Sequence, residues 1–163
     1  MAELSPSALQ ALDGLDARYG RALDAADMDG WLRCFADDDA ASYTCISAEN
    51  DAAGWPIALM LDDCRGRLHD RVTFVTKVWA GTFQPYATRH FVQRTLCEAV
   101  DADTVRSEAN FSIVITPEGQ PSSVLATGVY RDLVRLKDGA ARLLSRRAVY
   151  DTTVLPRYVV YPF

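Results

Sequence analysis

The pattern of this chain predicts an α+β fold, with helices first and a long antiparallel sheet last. Apolar residues recur three and four positions apart between Leu9 and Leu23, the period of a helix with one buried face. From Tyr86 onward the period falls to two, as in a half-buried strand. The pair Asp138-Gly139 then separates two long alternating runs, a strong short-range sign of a hairpin. Helices segregated from consecutive strands argue against a parallel βαβ sheet. A length of 163 residues with no repeat or linker suits one domain over residues 1–163.

Ser5-Pro6 opens the first helix: serine caps free N–H groups, and proline at the first helical position gives up a donor that has no partner there. Leu9, Leu12, Leu15, Tyr19 and Leu23 form its stripe, and it ends between Asp24 and Ala26. Asp27 caps a second helix, Met28 to Phe35, with Trp31 and Phe35 on one face as core anchors. Asp37-Asp38-Asp39 interrupts the helix, and a strand follows over Ala41 to Ile46. Glu49 to Gly54 reads as a loop. Trp55 to Lys77 has helical spacing through Ile57, Leu61, Cys64 and Leu68. Gly66 should divide that stretch, because interior glycine costs about 1 kcal/mol relative to alanine. Val105, Ser107, Ala109, Phe111, Ile113 and Ile115 alternate with polar residues and point inward. Thr116 to Ser122 is a hairpin loop, and strands Ser123–Leu136 and Ala140–Thr153 close the pattern.

A net charge of −5 works against nucleic acid or an anionic membrane surface as partner, since both attract basic patches. No run approaches 18 apolar residues, and no basic segment precedes an apolar one near Met1, so a cytoplasmic location is expected. Cys34, Cys45, Cys64 and Cys97 contain no C-x-x-C pair and lack nearby histidine. They read as small buried hydrophobes in a reducing compartment.

Glycine-rich phosphate loops and the G-x-S-x-G elbow are missing from the sequence. His69 and His90, its two histidines, are too few for a Rieske cluster plus a mononuclear iron site. A site joining both to Asp62, Asp63 or Asp70 has no supporting spacing. Those aspartates are expected in ion pairs with Arg65, Arg67 or Arg71, or as caps at helix ends. His90, within Thr88-Arg89-His90-Phe91-Val92, faces inward at a strand's start and is the one candidate acid/base. A neighbouring carboxylate that satisfies it is the simpler reading. Arg146 and Arg147 take opposite faces of one strand, and at least one must meet a carboxylate or a partner. The segment Leu155 to Phe163 is apolar and aromatic. Arg146, Arg147, Arg157, Tyr158, Tyr161 and Phe163 are therefore the candidate assembly surface.

Three stretches resemble the small, or beta, subunits of aromatic-ring-hydroxylating dioxygenases. They are Tyr19 to Asp39; Asp62-Asp63 with Asp70-Arg71-Val72 and then Thr88-Arg89-His90; and Gly128-Val129-Tyr130-Arg131-Asp132 with Ser145 to Asp151. The first is shared with cone-fold enzymes of the nuclear-transport-factor-two-like, or cystatin-like, superfamily. After Val72 the chain departs from many relatives, with Thr73 to Trp79 in place of an arginine-rich segment. The resemblance implies a cone-shaped curved antiparallel sheet wrapped by N-terminal helices. It also implies a non-catalytic subunit without cofactor or metal of its own, associated as three copies with three large alpha subunits. Those would hold the 2Fe–2S Rieske cluster and the catalytic Fe(II), and a reductase or ferredoxin would act on them. Ala41-Ser42-Tyr43 and the closing segment are similar to subunits serving carboxylated aromatics such as terephthalate, salicylate or anthranilate. The alternative is a free-standing cone-fold isomerase, dehydratase or cyclase using His90 as acid/base.

Overall fold

The computed structural model describes residues 4–163. Helix α1 spans Pro6–Asp24, and the Ser5 hydroxyl accepts from the Ala8 amide at 3.2 Å. Leu12, Leu15, Tyr19 and Leu23 are buried along its stripe, while Leu9 turns outward. Asp27 accepts from the Gly30 amide at 2.8 Å and starts α2, Met28–Leu32. This helix stops short of the expected Phe35. Main-chain hydrogen bonds from Ala36 to Leu143 and from Leu143 to Cys34, 2.7 and 2.8 Å, draw its last turn onto the sheet.

Strand β1 covers Ser42–Ser47 and leads into a short helix α3, Ala48–Ala52, where a loop was expected. The overlooked signal is Ser47, whose hydroxyl accepts from the Asn50 amide at 3.2 Å as an N-cap. Trp55 to Cys64 is not helical either. Met60–Asp62 form strand β2, paired antiparallel with β1 through Cys45↔Met60 and Tyr43↔Asp62. Helix α4, Arg65–Thr73, therefore begins just before Gly66 instead of being divided by it, and runs into a π-helical turn, Phe74–Val78.

Four long strands follow: β3 Tyr86–Ala99, β4 Thr104–Pro117, β5 Ser123–Lys137 and β6 Ala140–Tyr150. Among the described residues six strands form one sheet in the order β2-β1-β6-β5-β4-β3. Only the β1–β6 pair in that sheet is parallel. Bulges at Arg94/Leu96, Ile113/Val114 and Leu133/Val134 add bend and twist. The sheet consequently curls around α1, which packs across β3 and β6. Asp138 and Gly139 turn with φ of 52° and 72°, the left-handed pair of a type I′ hairpin. Gly128 is required for another reason: a Cβ there would collide with the Val149 carbonyl and the Phe111 ring.

The inward residues of β4, Val105 through Ile115, are buried as their alternation requires. Above them the Phe111 and Tyr130 rings stack at 4.4 Å, and Trp31 stands edge-on to Phe35 and Tyr43 at 5.0 and 5.7 Å. Phe163, expected on an assembly surface, is 1% exposed. Its ring lies 5.7 Å from Tyr150, and its main-chain oxygen accepts from the Tyr19 and Tyr43 hydroxyls at 2.6 and 3.3 Å. It is drawn inward because the curled sheet leaves an apolar space that water would fill poorly.

Phe163→Ala is expected to lower unfolding stability by about 3–5 kcal/mol, the usual result of emptying an aromatic site in a packed core. Urea titration measures this, and a change below about 1 kcal/mol would show that the ring does not fill the cone.

Candidate functional site

Two polar constellations lie between α1 and the sheet. The first is built on Arg146, also expected at the surface, whose side chain is 0% exposed. Its Nε and Nη2 donate to the two Asp132 oxygens at 3.0 and 2.7 Å, and Nη2 reaches Asp16 at 3.3 Å. The guanidinium lies 4.0 Å from the centroid of both the Tyr19 and the Tyr130 ring. Arg94 extends the network from β3 to Asp16 and Asp13 at 2.6 and 2.7 Å. Burial pushes the Asp132 carboxyl above its ordinary value, with the Arg146 charge opposing that shift. Arginine keeps its proton in proteins, so this cation must be matched where it sits.

The second constellation holds His90. Its Nδ1 is 2.6 Å from Asp24 Oδ1, its amide donates to Asp24 Oδ2 at 3.3 Å, and the Thr88 hydroxyl donates to the same carboxylate at 3.1 Å. Burial opposes the Asp24 charge, yet these donors outweigh it and hold the carboxyl below its ordinary value. An ionised Asp24 makes Nδ1 the donor and leaves Nε2 as the second nitrogen, which is buried without a partner. The His90 side chain is 2% exposed. It lies under α1 at Gly20, where an added Cβ would stand 3.3 Å from the His90 Cβ.

The remaining candidates are dispersed. Arg147 donates to Asp51 at 2.7 Å on the sheet's outer face, sharing that carboxylate with Arg131. Arg157 sits 4.7 Å from the Tyr86 and Tyr158 ring centroids, and Tyr161 packs edge-on to Tyr86 at 5.5 Å. Tyr158 is 53% exposed. Asp62 takes both hydrogen bonds of Arg71 at 3.0 Å, whereas Asp63 pairs with Arg67 at 3.3 Å. Among the described residues, no three His, Cys, Asp or Glu side chains gather in a way that could hold a metal ion. Sequence reading missed Asp16, Asp24 and Asp132. Asp24 ends α1 one helical turn past Gly20, which gave a positional hint but no chemical one.

Residues 18–157 match the model of the ring hydroxylating beta subunit family. The chain belongs to that family. It is 25% identical over 147 residues, 90% of this chain and 93% of the relative, to a terephthalate 1,2-dioxygenase terminal oxygenase component subunit beta 1 from Comamonas sp. Its fold is matched at a TM-score of 0.81 and 32% identity by a Novosphingobium aromaticivorans protein designated the beta subunit of an aromatic-ring-hydroxylating dioxygenase. That match covers 93% of this chain and 94% of the other. The beta subunit of benzoate 1,2-dioxygenase from Burkholderia mallei shares the fold at a TM-score of 0.72 and 21% identity, with 93% of each chain covered. This beta subunit thus has the cystatin-like α+β cone. No helix among its described residues is long and apolar enough to cross a membrane.

Because its folded pKa lies below the unfolded value near 3.9, Asp24 stabilises the protein above about pH 4. That contribution is lost as pH falls through the lower folded pKa. Asp24→Asn should therefore be less stable at pH 7 and show a flatter acid limb below about pH 4. Parallel unfolding curves for parent and variant across that window would contradict the assignment.

Proposed function

We propose that this chain is a structural, non-catalytic, single-domain beta subunit of a dioxygenase acting on a carboxylated aromatic ring. The observation that carries the reading is a cone interior occupied by the chain's own side chains. Phe163 fills its centre, and Arg146 packs against the Tyr19 and Tyr130 rings, all at most 1% exposed. A catalytic cone needs that volume for substrate. On this reading the redox chemistry belongs to a large alpha subunit with a Rieske cluster and Fe(II), supplied by a reductase or ferredoxin, in a cytoplasmic assembly of three alpha and three beta subunits. The name of the terephthalate relative supports an aromatic carboxylate as substrate.

The outer surface is then the working part. Arg147, Arg157, Tyr158 and Tyr161 are its candidate contacts, alongside exposed apolar residues such as Trp55, Ile57 and Phe91, at 57, 62 and 61%. Aromatic and arginine side chains are the types enriched where subunits meet.

A second reading, an acid/base enzyme centred on His90, draws on the Asp24–His90 pair and its unpartnered Nε2. One experiment separates the two. Co-expressed with a large subunit bearing C-x-H and C-x-x-H motifs, the chain is expected to co-purify as a hetero-oligomer. His90→Ala should leave turnover of that complex within a few-fold of parent. A chain that stays monomeric beside a soluble, fully active large subunit would defeat the structural reading. Turnover by the isolated chain that His90→Ala abolishes would establish the second.

A further inference from the structure

Outside the cone, the groove between α1 and α2 concentrates positive charge in an otherwise acidic protein. Arg18 and Arg21 project from one face of α1, Arg33 follows α2, and Arg142 arrives from the start of β6. They line a cleft of about 380 Å³ whose floor is made of small residues, among them Ala22, Ala25, Gly30 and Cys34. Asp27 alone among the lining residues is acidic, giving the cleft +3 against −5 for the whole chain.

The arginines are poorly matched by the protein itself. Among the described residues, Arg33 pairs with Asp27 at 3.4 Å, and no carboxylate lies within ion-pair distance of Arg18, Arg21 or Arg142. Asp27 is already engaged in capping α2 at the Gly30 amide. The α1 C-terminal dipole attracts a nearby cation only weakly and does not neutralise the group. The Cys34 thiol adds no charge, since burial pushes its pKa up.

Two features make the cleft a prepared site and not only a charged face. Arg18 Nη2 and Arg142 Nη1 each donate to the Ala141 carbonyl, at 3.2 and 3.3 Å, so both guanidinium heads are held at one rim with their other donors left over. Gly30 keeps the two helices close and the floor low, because a Cβ there would stand 3.2 Å from the Ala22 Cβ and collide with Asp27. Guanidinium groups offer forked donors that fit the paired oxygens of a carboxylate or phosphate. The cleft also falls in the size range of small-molecule sites.

We propose that this cleft binds a small organic or inorganic dianion through carboxylate or phosphate oxygens, held by Arg18, Arg21, Arg33 and Arg142. The site is separate from the cone interior and does not depend on the chain's role in an oxygenase. Its ligand is of the oxyanion class, and two probes distinguish the source: inorganic phosphate and terephthalate.

The full chain is titrated with each probe by calorimetry at constant ionic strength, with chloride as the matched salt. Saturable binding of at least one probe beyond chloride is expected, and whichever binds more tightly identifies the oxyanion type. Arg21→Gln and Arg142→Gln should each weaken it about tenfold, the size of one charge-assisted hydrogen bond. Both side chains are exposed, so the fold should tolerate the changes. Arg106→Gln serves as the control, since Arg106 is 57% exposed on β4 and does not line the cleft. It should leave binding unchanged. Absence of saturable binding above chloride overturns the proposal. So does an Arg106→Gln variant weakened as much as Arg21→Gln, which would reveal a general field effect in place of a site.

Discussion

The inside of this cone is arranged around a cation that water cannot reach. Leaving Arg146 buried without a counter-charge would cost several kcal/mol, so the surrounding elements must supply one. Asp132 on the neighbouring strand meets it with two hydrogen bonds, Asp16 reaches it from α1, and the Tyr19 and Tyr130 rings pack against it. Helix, hairpin and aromatic core are thereby tied to one point. Arg94 carries the same network to β3 through Asp16, so α1 is clamped to strands on both sides of the curl.

This arrangement also governs Phe163. Tyr19 lends one ring face to Arg146 and its hydroxyl to the Phe163 main-chain oxygen. Burial pushes the Tyr19 and Tyr43 hydroxyls above their ordinary values, so both stay protonated and able to donate. A buried ion pair and a folded-back aromatic segment therefore share supports. Together they fill the inside of the curled sheet with the chain's own side chains.

The bearing of the register is visible at Arg146. Counting outward from the Asp138-Gly139 turn, a regular hairpin would set Arg146 opposite Arg131, a like-charge pair. The bulge at Leu133/Val134 shifts the ladder by one residue and places Asp132 there instead. Arg131 then meets Arg147 across the outer face, where Asp51 of α3 bridges both. The extra residue, Leu144, thus turns Arg146 from the outer face, where it would meet Arg131, to the inner face, where it meets Asp132.

By itself the sequence determined α1 with its Ser5 cap, the Asp27 cap, the alternation of β4, the hairpin at Asp138-Gly139, and the wide spacing of its histidines and cysteines along the chain. These follow from local chemistry: caps, periodicity and left-handed turn residues act within a few positions of one another. Tertiary structure alone decided that Met60–Asp62 extends as a strand beside β1, that Phe35 leaves its helix, and that Arg146 and Phe163 point inward. The physical reason is common to all of them. Strand pairing, bulges and the matching of a buried charge depend on partners many residues away, such as Asp16 and Asp132 for Arg146, and such partners leave no mark in local spacing.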